Sequence, residues 1–227
     1  MSTASRRQYR SELRREQAAA TRQRIADAAR SLMLRHGYAV TTMAEVARVA
    51  GVAVQTLYAT CPGGKAGLAK LVYDATLAGD AQPVPMAERP PVQAIVAEAD
   101  PGRKLELYAS MVLSVAERIT PVHRVLRAAA AATPADENLH GLLHQAELQH
   151  RAGSRGPAAH LAEVGALRDG LTVDQAADQI YALSSIEVYE RLTEICRWSG
   201  EEYCAWLAAT LSSTLLETPT PRRTPRN

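Results

Sequence analysis

The stretch "VAGVAVQTLYATCPGGK", Val49 to Lys65, decides how this chain folds at its N-terminal end. Gly51 supplies a sharp turn after a short apolar run, a helix-compatible segment follows, and Cys61-Pro62-Gly63-Gly64 ends it. Just upstream, in "TTMAE", Thr42 is placed to accept from the Glu45 amide while the Glu45 carboxylate reaches back to the Thr42 amide. Such a capping box starts a helix from Met43 to about Ala50. The helix after the turn is expected from about Ala53 to Thr60. Val46, Ala47, Ala50, Val52 and Leu57 then face inward at the spacing of a helix-turn-helix, with small Ala47 where the two helices approach. Cys61 stands where the amphipathic pattern calls for something large and apolar.

Upstream, Ile25, Ala28, Ala29, Leu32 and Met33 recur at three- and four-residue spacing, which predicts a first helix over 17–36 that Gly37 stops. Downstream, a helix is expected from about Lys65 to Gly79, ending in the proline-rich "QPVPMAERPP". Further helices are expected at about 92–98, 102–119, 121–132, 135–164, 172–197 and 200–217. Thr172 with Gln175, and Ser199 with Glu202, repeat the capping-box pattern at the last two starts. The chain therefore reads as all-α, a three-helix head followed by a larger helical body. The expected organisation is a flexible basic arm (1–16), a helix-turn-helix domain (17–64), a helical ligand-binding and dimerisation domain (65–217) and a disordered tail (218–227).

Composition narrows the function. The 227 residues are enough to bury a real core, and three scattered cysteines (Cys61, Cys196, Cys204) suggest neither a disulfide framework nor a zinc ribbon. The N-terminus lacks the apolar core of a signal peptide and no stretch approaches a membrane span, so a soluble, cytoplasmic protein is expected. Net charge is only +2, yet residues 1–24 carry seven arginines (Arg6, Arg7, Arg10, Arg14, Arg15, Arg22, Arg24) against Glu12 and Glu16. A basic arm beside a near-neutral body fits a nucleic-acid binder, although a solvated tail would look the same. No GxSxG, HExxH, GxGxxG or P-loop string occurs, so neither an enzyme nor a cofactor is expected. His140, His144 and Glu147 share a helix face with His150 near by. An exposed polar face explains them better than a metal, for which a fourth ligand is missing.

Residues 21–72, "TRQRIADAARSLMLRHGYAVTTMAEVARVAGVAVQTLYATCPGGKAGLAKLV", resemble the TetR family of transcriptional regulators. The paired threonines, the AxxAGV turn, the TLY triplet and the lysine after a Pro-Gly turn carry the resemblance; "GLTVDQAADQIYALSSIEVYERL" and "WSGEEYCAWLAATL" extend it more weakly. It implies a ligand-responsive repressor, a homodimer that inserts its third helix into the major groove at each half of a palindromic operator. Ala53, Val54, Gln55 and Thr56 would then meet the bases: Gln55 can pair bidentately with adenine, Thr56 offers hydroxyl or methyl, and Ala53 and Val54 can touch only apolar groups. Thr42, Tyr58 and Lys65 match positions that contact phosphates, a role their hydroxyl, phenol and ammonium groups suit.

For the body, the resemblance implies a pocket for an unknown small-molecule inducer, with Tyr108, Met111, Val115, Tyr181 and Ser185 as possible lining. The last two helices are apolar on more than one side, which favours a partner helix pair; Ile186, Tyr189, Trp198, Tyr203, Trp206 and Leu207 are the expected dimer contacts. The alternative is a helical small-molecule carrier or interaction protein that has lost DNA binding. Two departures from the family pattern stand out. Ala53 replaces the usual serine and costs the reading helix a side-chain cap. Cys61 replaces a usual phenylalanine, either as a small buried hydrophobe, with a large neighbour such as Met33 or Leu68 compensating or the head left looser, or as a redox-active thiol.

Overall fold

A computed structural model describes residues 3–217, with side chains from Arg15 onward. The expected tail at 218–227 lies outside the described residues. The helices are α1 (Thr3–His36), α2 (Met43–Ala50), α3 (Val54–Thr60), α4 (Lys65–Ala78), α5 (Pro90–Ala97), α6 (Pro101–Ala132), α7 (Glu137–Glu163), α8 (Val173–Leu183), α9 (Ile186–Glu190) and α10 (Gly200–Leu215). A 3-10 turn, Met86–Glu88, lies in the proline-rich connection. Among the described residues no strand forms beyond an isolated bridge between Leu167 and Leu216.

Three boundaries differ from expectation, each for a local reason. Helix α1 begins at Thr3 rather than at Gln17. Its apolar periodicity does start later, but Arg, Glu, Gln, Leu and Ala are all good helix formers and no Gly or Pro interrupts them. Pro121 was expected to separate two helices and instead lies inside α6. Proline forfeits one backbone hydrogen bond, but here its ring is exposed while Ile119, Val122 and Leu126 on the same helix are buried. The expected 172–197 helix is broken in its middle. Ser184 turns its hydroxyl back to the Ile180 carbonyl (2.7 Å), and Ser185 accepts from the Val188 amide and so caps α9. A π-helical turn, Arg191–Ile195, and a left-handed Arg197 (φ 64°) lead on towards α10.

The chain forms two compact units. Unit 1 holds the chain up to Val84 together with Glu117–Ala146; unit 2 holds Pro85–Ala116 and the chain from Glu147 onward. The division thus falls at residue 84 rather than at the expected 64, because α4 packs on α1. In unit 1 the core is built from Ile25, Ala29, Leu32 and Met33 of α1, Val46 and Ala47 of α2, Leu57 of α3, and Leu68 and Val72 of α4. In unit 2, Leu105, Ala109, Leu161, Ile180, Tyr203, Leu207 and Leu211 are fully buried in one cluster. Long cationic side chains close two helix ends. The Arg118 guanidinium donates to the carbonyls of Thr76 (3.2 Å) and Leu77 (3.1 Å) at the end of α4. The ammonium of buried Lys104 donates to those of Ile95 and Val96 at the end of α5.

The two C-terminal capping boxes form as expected, at Thr172 with Gln175 and Ser199 with Glu202. At α2 only half forms: Thr42 accepts from the Glu45 amide (3.2 Å), without the return bond from the Glu45 carboxylate.

Candidate nucleic-acid interface

The head is set by what its two short helices bury. Val46, Ala47 and Ala50 fix α2, while Leu57, wholly buried, is the one residue that pins α3 to the core. Gly51 caps α2 in the left-handed conformation (φ 65°, ψ 41°), and its amide and that of Val52 bond back to the last turn of α2. The interhelical angle is thereby fixed by backbone geometry. With Leu57 inward, Ala53, Val54, Gln55 and Thr56 all stand exposed at the start of α3. Ala53 is the N-cap residue and makes no side-chain cap bond, which leaves the first amides of α3 without that partner.

The three residues expected to meet phosphates surround this face differently. Thr42 is exposed and spends its hydroxyl oxygen on the Glu45 amide, so it caps α2. Tyr58 is 53% exposed, with its ring against Gly64. Lys65 is half-buried: its ammonium donates to the Ala39 carbonyl (2.6 Å) and sits 4.6 Å from the centre of the Tyr38 ring. Burial lowers the Lys65 pKa, opposed by the carboxylate of Asp136. Lys65 thus ties the loop between α1 and α2 to the start of α4, a role the spacing of the sequence did not reveal. Thr41 tightens the same loop, its hydroxyl donating to the Gly37 carbonyl (2.9 Å).

Cys61 caps the end of α3 and is 1% exposed. Burial pushes its thiol pKa up, against a smaller lowering by Arg22, so the reactive thiolate is disfavoured. Met33 and Leu68, the two side chains expected to compensate for the small residue, are both fully buried. Sequence reasoning missed Gly67 altogether. A Cβ there would overlap the Pro62 carbonyl oxygen and stand 3.0 Å from its carbon and 3.1 Å from the Cys61 carbonyl carbon. The Cys-Pro-Gly-Gly turn can close on α4 only because position 67 has no side chain.

In unit 2 the residues proposed from sequence separate into groups. Tyr108 is buried and its hydroxyl lies 3.4 Å from that of Ser184; Ser185, the expected lining residue, is instead occupied in capping α9. Tyr181 donates to Glu147 (2.5 Å), and Met111 and Val115 are half-buried. Of the expected dimer contacts, Ile186, Tyr189, Trp198 and Trp206 are half-buried, whereas Tyr203 and Leu207 have no exposed surface. Those two are core residues of their own chain and have no face to offer a second copy. A helix apolar on several sides does not reveal from sequence which side its own fold covers. Among the described residues, no group of three His, Cys, Asp or Glu side chains is placed to hold a metal ion. Glu147 is engaged by Tyr181, and the Nε2 of His150 lies 3.0 Å from the Ser184 hydroxyl.

Residues 25–70, which span α2, α3 and their supports on α1 and α4, match the model of the bacterial regulatory proteins of the tetR family. The match covers the helix-turn-helix head, so this head is similar to those of tetR-family regulators. Comparison with curated proteins finds no match. Solved structures share the fold over most of the chain. A Rhodococcus protein described as a TetR-family transcriptional regulator superposes with a TM-score of 0.67 at 17% identity, covering 86% of this chain and 98% of its own. NalD, the secondary repressor of the MexAB-OprM multidrug efflux pump in Pseudomonas aeruginosa, gives 0.61 at 19% identity, covering 90% and 100%. FadR of Bacillus subtilis, in complex with stearoyl-CoA, gives 0.64 at 19% identity, covering 84% and 97%. In regulators of that family the helix-turn-helix is the DNA-binding element. Among the described residues, no helix is long and apolar enough to cross a membrane.

Proposed function

We propose that the protein is a cytoplasmic, homodimeric repressor that binds a palindromic operator and is released by a small-molecule effector. The observation that carries the DNA-reading part is the start of α3, where Ala53, Val54, Gln55 and Thr56 are all exposed while buried Leu57 holds the helix rigid. Gln55 is the polar base reader, with adenine N6 and N7 as its best partner, and the apolar Ala53 and Val54 suit thymine methyls. Thr42, Tyr58 and Lys65 set the register through phosphates, Lys65 from a position already braced by the Ala39 carbonyl.

Effector response and dimerisation rest on the body. Ile186, Tyr189, Trp198 and Trp206 keep partly exposed aromatic and aliphatic surface, which supports a role in pairing two copies. Tyr108, Met111, Val115 and Tyr181 are the proposed effector contacts, with Ser184 taking the place of Ser185. Structural neighbours that repress an efflux pump or were crystallised with an acyl-CoA favour an effector-responsive repressor over a carrier that has lost DNA binding. The test is selection of bound sequences from a random double-stranded DNA pool at low salt. Enrichment of a palindrome is expected, and recovery of no preferred sequence would overturn the proposal.

A further inference from the structure

Unit 2 holds a polar track inside an otherwise apolar core. It begins at half-buried His150, whose Nε2 lies 3.0 Å from the Ser184 hydroxyl, and passes to the hydroxyl of buried Tyr108, 3.4 Å from Ser184. Beside it, the edge of the His150 ring meets Tyr181 at 5.1 Å, and Tyr181 is held by Glu147. Close to Tyr108 is Tyr203 of α10. Its side chain is wholly buried, its ring packs against Tyr189 (5.1 Å) and Trp206 (6.0 Å), and its hydroxyl has no hydrogen-bond partner. Burial is the largest influence raising the Tyr203 pKa, with Tyr108 next, so the phenol stays protonated and is an unused donor.

A buried hydroxyl without a partner is a standing cost in the folded protein, and phenylalanine would fill the same space without it. We propose that the Tyr203 hydroxyl, with Tyr108, Ser184 and His150, is the polar end of the effector site, and that the effector is an uncharged, largely apolar molecule presenting a hydrogen-bond-accepting oxygen such as a ketone. The proposal rests on the effector-responsive reading given above and adds the chemistry of the ligand. Tyr203 has a proton to give, which requires an acceptor from the ligand. Leu105, Ile180, Leu207 and Leu211 make the surrounding core apolar. Anions are opposed by Glu147 and Glu187, the carboxylates that act on both His150 and Tyr181, while Arg151 is paired with Asp178. Because Tyr189 and Trp206 touch the Tyr203 ring and are half-exposed, a ligand on that hydroxyl would act one side chain away from the proposed dimer contacts.

The test uses the full-length protein and Prodan, an uncharged naphthalene ketone whose emission responds to hydrogen bonding at its carbonyl. Binding is read by energy transfer from Trp198 and Trp206, with the parent dimethylaminonaphthalene, which lacks the ketone, as comparison. Wild-type protein is expected to bind Prodan, and Tyr203→Phe to weaken it about 5- to 10-fold, the worth of one neutral hydrogen bond. The ketone-free probe should bind both proteins equally, and the melting temperature of Tyr203→Phe should stay level or rise. Absence of Prodan binding by wild type, equal Prodan affinity in both proteins, or a lowered melting temperature in the variant would each overturn the proposal. A palindrome recovered from the DNA pool alongside unchanged Prodan affinity refutes the ligand assignment alone. Loss of Prodan affinity without any DNA preference refutes the regulator reading alone.

Discussion

Replacing Gly67 by alanine tests whether the turn at 61–64 owes its closure to a missing side chain. In an exposed helical position this change normally stabilises by roughly 0.5–1 kcal/mol, because alanine loses less backbone entropy on folding. Here the new Cβ would overlap the Pro62 carbonyl oxygen and approach two carbonyl carbons at 3.0 and 3.1 Å, where ordinary contact begins at 3.4 Å. All three obstacles are backbone atoms and cannot rotate away. The turn must retreat, at a cost of the order of 1–3 kcal/mol for overpacking, so the net effect is destabilising by about 1–2 kcal/mol. For a chain of this length each kcal/mol moves the melting temperature by about 2–4 °C, which gives a drop of roughly 2–8 °C. Gly141→Ala in α7 supplies the matched control: its Cβ would meet nothing within 4 Å, so the same chemical change should raise the melting temperature slightly. Since Tyr58 packs against Gly64, Gly67→Ala should also weaken DNA binding measured by fluorescence anisotropy. A melting temperature for Gly67→Ala that rises in step with Gly141→Ala would refute the steric argument.

Other outcomes follow from the same geometry. Lys65→Met should lower affinity for all DNA sequences and reduce the slope of log affinity against log salt by about 1, whereas Gln55→Ala should relax preference at one base pair per half-site by about 1–3 kcal/mol; binding titrations across salt and sequence separate them. Cys61→Phe should lower the melting temperature, because Met33 and Leu68 are already buried around a closed head, and peroxide should leave wild-type DNA binding unchanged because the thiol is covered and its pKa raised. Burial holds the His150 pKa below its ordinary 6.5, so on acidification the unfolded chain takes up the proton first. Its contribution therefore destabilises the fold as pH falls through and below 6.5, and His150→Gln should flatten that part of a urea-unfolding series between pH 8 and pH 5.

The head was legible in the sequence because its determinants are local. The apolar spacing at Val46, Ala47, Ala50 and Leu57, the left-handed turn at Gly51 and the break at Pro62 lie within one short stretch, and the structure follows them to within a residue. The buried state of Cys61 was legible for the same reason. The division of labour around Lys65 was not, since its partners Ala39 and Tyr38 lie at least 26 residues earlier, in another loop, and one of them is a backbone carbonyl. Gly67 was hidden because a helical glycine whose role is to admit a neighbouring carbonyl looks like any other helical glycine. In the body, periodicity identified the apolar faces but not their partners. Tyr203 and Leu207 turned out to be wholly internal, and the Ser184–Ser185 break was masked because no Gly or Pro marks it.

The passage of α6 and α7 through both compact units has a consequence for how separable the DNA-reading end is. The chain leaves unit 1 after Val84, returns inside α6 and leaves again inside α7, so two of the three crossings occur without a loop. A fragment ending at Val84 would contain every residue proposed to face DNA, yet it would lack Ile119, Val122 and Leu126, which belong to the same unit and are buried in it. The reading end is therefore not a detachable cassette. Grafting it onto another body would require carrying the second half of α6 and the first part of α7 along with it.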